Sequence, residues 1–137
     1  MNMNYIDRLQ KAMLAEDEIA TEDTLSAIED EDYSIDYADA ILRFMENNPN
    51  LDYGMPGPAV RFAEKFFLKG YETLLLESIK RTPTVHTLWM LNRIINSPKL
   101  AGRDEYLDAL KGVVDRDDIS DEVRQEAIMF LEYQEEK

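Results

Sequence analysis

The stretch GYETLLLESIKRTPTVHTLWMLNRIIN, residues 70 to 96, decides how the rest of the chain is read. From Tyr71 through Leu75 to Ile79 the apolar residues recur at spacings of three and four, which places them on one face of a helix. Gly70 fits the end of a preceding helix, where a residue without Cβ closes the last turn. Pro83 closes the helix predicted over Tyr71 to Lys80, because the residue before a proline is pushed out of helical geometry. Thr84 can then cap a second helix running through Leu88, Leu91 and Ile95 to Pro98. The unit is helix, short turn, helix.

The unit recurs to either side. Tyr71, Leu75 and Ile79 have counterparts 34 residues earlier in Tyr37, Ile41 and Met45, and 35 residues later in Tyr106, Leu110 and Val114. In the second helices, Leu88 and Ile95 map 35 residues on to Val123 and Phe130. Such a period belongs to stacked helix pairs of the HEAT type, in which each pair buries its apolar face against the next. An irregular bundle is the competing arrangement, since a tyrosine followed by apolar residues at i+4 and i+8 suits any core-facing helix.

The remaining segments read the same way. A helix over about 3 to 16 carries Tyr5, Ile6, Leu9 and Met13 on one face, and a shorter one follows Thr21 as cap, with Leu25 and Ile28 apolar. Its acidic end opposes the helix dipole. Ser34 can cap a helix with Tyr37, Ile41, Phe44 and Met45, ending before Pro49. The longest loop, Asn48 to Gly57, leads to Pro58, suited to a helix's first turn, and then to Val60, Ala63, Phe66 and Phe67. Phe66 and Phe67 point about 100° apart on a helix, so one faces an interface and the other a rim. Helices over Arg103 to Asp115 and, capped by Ser120, over Asp121 to Tyr133 complete the set. Sustained alternation of the kind that makes strands is scarce, so the chain is expected to be all-α: a right-handed stack of antiparallel helix pairs, about seven or eight helices, in one domain over 1–137 with an acidic part at 1–52 and a repeat-like part at 55–135.

Composition sets the outer bounds. With 137 residues, 45% hydrophobic and 32% charged, the chain has the mixture of a folded domain rather than a disordered one. The absence of cysteine excludes disulfides, thiolate metal sites and cysteine nucleophiles. The N-terminal residues lack the apolar core of a signal peptide and no segment approaches the roughly 20 apolar residues needed to span a bilayer, so a cytoplasmic location is expected. The net charge is −14, and it is unevenly placed: residues 1–52 hold 14 acids and 3 bases, residues 53–137 hold 15 and 12. Residues 16–39 contain 11 acids and no Lys or Arg. A field of that sign repels nucleic acid and anionic lipid and attracts basic proteins over about a Debye length. A solubilising surface is the plain alternative.

No catalytic pattern stands out. His86 is the only histidine, which excludes a multi-histidine metal site; its place near a helix start suits capping or packing better than proton transfer. The run Asp30, Asp32, Ser34, Asp36 alternates oxygen donors as a calcium loop does, but Ile35 stands where that loop needs glycine and Ile41 where it needs glutamate. Carboxylate pairs are too abundant to be specific for acid–base chemistry. No phosphate-binding glycine loop, nucleophile elbow or deaminase signature is present. A non-enzyme is expected, without cofactor or metal. Trp89, between Leu88 and Met90, is expected in the core.

The segment from Gly57 to Asn96, with PAVRFAEKFF followed by GYETLLLESIKRTPTVHTLWMLNRIIN, resembles the small helical immunity proteins encoded beside bacterial polymorphic toxins. The likeness is strongest at His86, Leu88, Trp89, Met90, Leu91, Asn92 and Arg93, and it extends over about residues 55 to 135. The resemblance implies a HEAT-like helical stack in the producer's cytoplasm that binds a cognate toxin domain and blocks its active site or substrate entry. It carries over no toxin-contacting residue. Charge adds the surface: a nuclease toxin must be basic where it meets phosphate, and an acidic inhibitor can occupy that ground with a fast on-rate. The expected contact surface lies within Glu16 to Asp39, at Glu22, Asp23, Asp30, Glu31, Asp32, Asp36 and Asp39, with Tyr33 and Tyr37 as anchors. A non-catalytic scaffold for another basic protein is the alternative, and a homodimer is compatible with both.

Overall fold

The computed structural model describes residues 1–136 and is all-α, with eight helices and, among the described residues, no strand. The helices are α1 (Met3–Leu14), α2 (Glu18–Glu31), α3 (Asp36–Asn47), α4 (Pro58–Glu64), α5 (Tyr71–Arg81), α6 (Val85–Ile95), α7 (Arg103–Val114) and α8 (Asp121–Glu135). They fall into two compact units that divide after Tyr71, whereas the shift in charge along the sequence falls near residue 52.

In the first unit α1 packs on α2, α2 on α4, α4 on α3, and α3 returns to α1. The apolar stripes explain the packing: Leu9 of α1, Ile28 of α2, Tyr37, Ile41, Leu42 and Met45 of α3, and Val60 and Phe62 of α4 are all buried. Burying one such side chain stabilises the fold by roughly 1.5–3 kcal/mol. The loop between α3 and α4 is held by two backbone approaches that only glycine allows. A Cβ on Gly57 would sit 1.7 Å from the Tyr53 carbonyl oxygen, and Gly54, at φ +81°, faces the Gly57 backbone. Tyr53 is buried and donates to the Asn48 carbonyl at 2.7 Å.

In the second unit α6, α7 and α8 pack mutually, around Leu88, Leu91, Leu110 and Ala127. Arg116, just past α7, ties in α5. Its guanidinium donates to the Lys80 carbonyl at 2.7 Å and reaches the Arg81 carbonyl at 3.4 Å, so it answers the orphan acceptors at the end of that helix. The same guanidinium meets Asp118 through Nε at 2.8 Å and Nη2 at 2.7 Å, which holds the Asp118 carboxyl down to about 2. A second polar tie is buried at Gln134. Its amide nitrogen donates to Asn92 at 2.7 Å and Asn96 at 2.8 Å, and its oxygen accepts from Arg103 at 2.9 Å.

The 34- and 35-residue correspondences fall largely on core positions. Tyr37, Tyr71 and Tyr106 are buried, as are Ile41, Leu75 and Leu110, and Met45 and Ile79. At the third copy the register drifts by one: Val113 is buried and Val114 half-buried. Caps at Thr84 and Ser120 are made as the spacing predicts; Thr84 forms a reciprocal box with Thr87, and Ser120 accepts from the Val123 N–H. Thr21 is not a cap. Asp17 is, accepting from the Ala20 N–H, so α2 starts a turn earlier and Thr21 lies buried inside it, its hydroxyl turned back to the Asp17 carbonyl. After Glu64 the chain tightens into i to i+3 bonds that carry it to Gly70 at φ +118°, leaving Phe66 buried and Phe67 half-buried. Trp89 is half-buried rather than internal, with the Arg93 guanidinium 5.1 Å from its ring centre and His86 at 5.3 Å.

Candidate functional site

The acidic stretch becomes mostly one helix, because its few apolar residues keep helical spacing. Leu25 and Ile28 face inward with Thr21 and Thr24, both of which return their hydroxyls to the carbonyl four residues back. Everything between is acidic or small, so the outer surface of α2 is a row of carboxylates. Glu22, Asp23, Asp30 and Glu31 are all exposed.

Glu22 and its half-buried neighbour Glu29 do not stand alone. Across the first unit α4 sets Arg61 3.7 Å from Glu22 and Lys65 in an ion pair with Glu29. These pairs flank a groove of about 250 Å³, lined by Leu25, Ser26, Pro58 and Phe62 besides the four charged groups. All four side chains are substantially exposed, so each pair contributes only ~0.2–1 kcal/mol and can be exchanged for a better partner. Lys65 also answers the dipole at the acidic end of α2 through Glu29. By contrast, no cation among the described residues lies within ion-pair reach of Asp23, Asp30, Glu31 or Asp36.

The predicted contact residues therefore separate into two groups. Glu22, Asp23, Asp30, Glu31 and Asp36 present carboxylates to solvent, and Asp39 holds Arg43 at 3.0 Å one turn along α3. Asp32 and Tyr37 are engaged internally. Tyr37 is fully buried; its hydroxyl donates to Asp32 at 2.5 Å and accepts from the Asn2 N–H at 3.0 Å, and Asp32 accepts from the same N–H. Burial and the neighbouring carboxylate push the Tyr37 phenol up, while the tyrosine hydrogen bond holds the Asp32 carboxyl below its ordinary range. Tyr37 is thus a core residue with no surface to offer a partner. Tyr33, expected beside it as an anchor, is half-exposed, its inner face stacked on Phe66 at 4.9 Å and edge-on to Phe62 at 6.0 Å. That support pre-orders the ring at little entropic cost.

The acids of the calcium-like run do not converge. Asp30 sits in the last turn of α2, Asp32 is spent on Tyr37, and Ser34 accepts from the Asp36 N–H. Among the described residues no three carboxylate or histidine groups are placed to hold a metal ion. His86 lies in the first turn of α6, packed against Trp89.

No family model, curated protein or solved structure matches the chain. The reading of its function rests on the surface itself.

Two residues that carry this surface escape a reading by periodicity. Leu14 and Ile19 are 59% and 77% exposed, on either side of the α1–α2 turn. With a cap at Thr21, Ile19 belongs to a loop; with the cap at Asp17 it stands on the outer face of the first turn of α2, one turn before Asp23. The signal for it was the Asp17–Glu18 pair, an N-cap acid followed by an acid in the first turn. Among the described residues no helix is long and apolar enough to cross a membrane.

Proposed function

We propose that the chain is a bacterial immunity protein that binds a cognate toxin domain and neutralises it by laying an acidic surface over the toxin's active site. One observation carries the reading. The outer face of α2 presents Asp23, Asp30 and Glu31 with no ion-paired cation among the described residues, which leaves their field directed outward. Placing several like charges on one helix costs stability through self-repulsion, and a basic partner relieves that cost. A nuclease fits best among toxins, because it must be basic where it holds phosphate. The protein acts as a binder in this reading, with no cofactor, and its cytoplasmic location follows from the need to meet the toxin inside the producing cell.

The test is a low-salt pull-down of the tagged protein from its native bacterium, followed by expression of the recovered partner alone. A stoichiometric partner that kills the host, and is silenced by co-expression of this chain, is the expected outcome. A partner without toxicity would replace the immunity reading with that of a helical scaffold for a basic protein. Association should slow with added salt far more than dissociation quickens. Replacing Asp23, Asp30 and Glu31 by their amides should remove most of that dependence, and Asp32 is left out because its loss disturbs Tyr37.

A further inference from the structure

The tip formed by the end of α1, the turn and the first turn of α2 combines two features that seldom coincide on a solvated surface. Leu14 and Ile19 lie open to water, Ile19 more than any other large apolar side chain described. Around them in sequence and on the helix stand Glu16, Asp17, Glu22 and Asp23, all exposed. Lys11, a turn back on α1, is the nearest base along the chain.

The turn is also fixed. Glu16 occupies the left-handed region at φ +55°, a conformation a non-glycine residue adopts at a cost of order 1 kcal/mol. It is locked by consecutive backbone bonds from the Ala15, Glu16 and Asp17 N–H groups to Lys11, Met13 and Ala12. Asp17 then caps α2. Leu14 and Ile19 are therefore held on a rigid corner, five residues apart in sequence, where a flexible loop would let them fold back onto the protein.

We propose that this corner is the anchoring point of a docking surface for a basic, amphipathic segment of a partner protein: apolar side chains cover Leu14 and Ile19 while flanking Lys or Arg meet Glu16, Glu22 and Asp23. The chemistry of the occupant follows from complementarity. An apolar contact alone would suit any hydrophobic patch, and the carboxylates alone any cation, but exposed apolar side chains with carboxylates before and after them along the chain select a partner carrying both. Binding buries the apolar side chains, which sets dissociation, while the carboxylates set encounter. The inference deepens the proposed function by naming where the basic partner is held, and it rests on that partner being a protein.

Two synthetic peptides of equal length and charge test it: one of Lys and Leu with Leu at every third and fourth position, and one with those Leu replaced by Ser. Titrated into the isotope-labelled protein at physiological salt, the amphipathic peptide should bind roughly tenfold tighter or more, with amide shifts centred on residues 14–23. The double variant Leu14→Ser, Ile19→Ser, at exposed sites where the fold should be kept, should bring the two affinities together. Checking its melting temperature against the parent separates a lost surface from a lost fold, and Ile19→Ser alone should give part of the effect. Equal affinities for the two peptides on the parent protein, or shifts centred elsewhere, would overturn the proposal. Peptide selectivity without protection against any toxin would remove the immunity reading and leave the surface standing, whereas protection retained in full by the double variant would do the reverse.

Discussion

Replacing Tyr37 by Phe removes one oxygen from the core of the first unit and nothing else. That oxygen donates to Asp32 at 2.5 Å and accepts from the Asn2 N–H at 3.0 Å, so two hydrogen bonds close to the surface are lost while the buried ring remains. Losing them should cost about 1–2 kcal/mol, seen as a fall in melting temperature of roughly 3–6 °C for a chain of this length. Tyr37→Ala also empties the ring's site and should cost about 3–5 kcal/mol. The pH dependence gives the second arm. The tyrosine bond depresses the Asp32 pKa in the folded state, so its contribution is complete above the ordinary aspartate value and is lost as pH falls through the lower folded value. Circular dichroism melts of parent and Tyr37→Phe should therefore differ by a constant amount from pH 5 to 7, and the difference should shrink in acid towards the share carried by the Asn2 hydrogen bond. Nitration with tetranitromethane supplies an independent check: Tyr33, half-exposed, should react first, and Tyr37 should be protected. A Tyr37→Phe deficit that persists unchanged in acid, or nitration of Tyr37 as fast as Tyr33, would refute this account.

Other outcomes follow from the polar ties and the glycines. Gln134→Leu removes the side-chain amide that Asn92, Asn96 and Arg103 share, leaving Arg103 its bond to the residue 134 carbonyl, and should cost about 2–4 kcal/mol in urea unfolding; a neutral result would mean that water replaces the amide. Asp118→Asn should lower the melting temperature at neutral pH, because a carboxyl held down to about 2 by Arg116 stabilises the fold above pH 4. That difference should vanish as the pH approaches 2. Gly57→Ala should cost about 1–3 kcal/mol through overpacking against the Tyr53 carbonyl. Gly112→Ala, within α7 where an added Cβ meets nothing within 4 Å, should instead gain about 0.5–1 kcal/mol.

Periodicity made the helices legible because each one buries a stripe, and a stripe is a local property of sequence. Spacing alone marks the tyrosines at 37, 71 and 106 as equivalent positions on core-facing helices, and all three are buried; for Tyr37 that burial overturns its expected role as a surface anchor. Caps were legible where a hydroxyl residue stands immediately before an apolar run, at Thr84 and Ser120. At α2 the hydroxyl signal misleads: Thr21 is the expected cap, but the helix is capped four residues earlier at Asp17 and packing buries Thr21 inside it. The site was legible as charge but not as shape. Nothing local distinguishes Asp32 from Asp30, since the difference lies in a tyrosine five residues on and an amide thirty residues back. Tyr33 and Tyr37 differ for the same reason: a one-turn step along a helix keeps a face, but Tyr33 lies in the link after α2 and the chain enters α3 only at Asp36. The division after Tyr71 was not legible, because it falls at a helix start where composition does not change.

Between Lys11 and Arg43 the chain contains no Lys or Arg, so trypsin releases the corner, the whole of α2 and the first turns of α3 as one peptide spanning residues 12–43. Amine-directed reagents find no lysine on that stretch. A zero-length carbodiimide coupling is the natural complement, since it joins carboxylates to the lysines of whatever rests against them. After digestion, every bond made at this surface is carried by that single peptide, and its mass identifies the segment of the partner that was touching it.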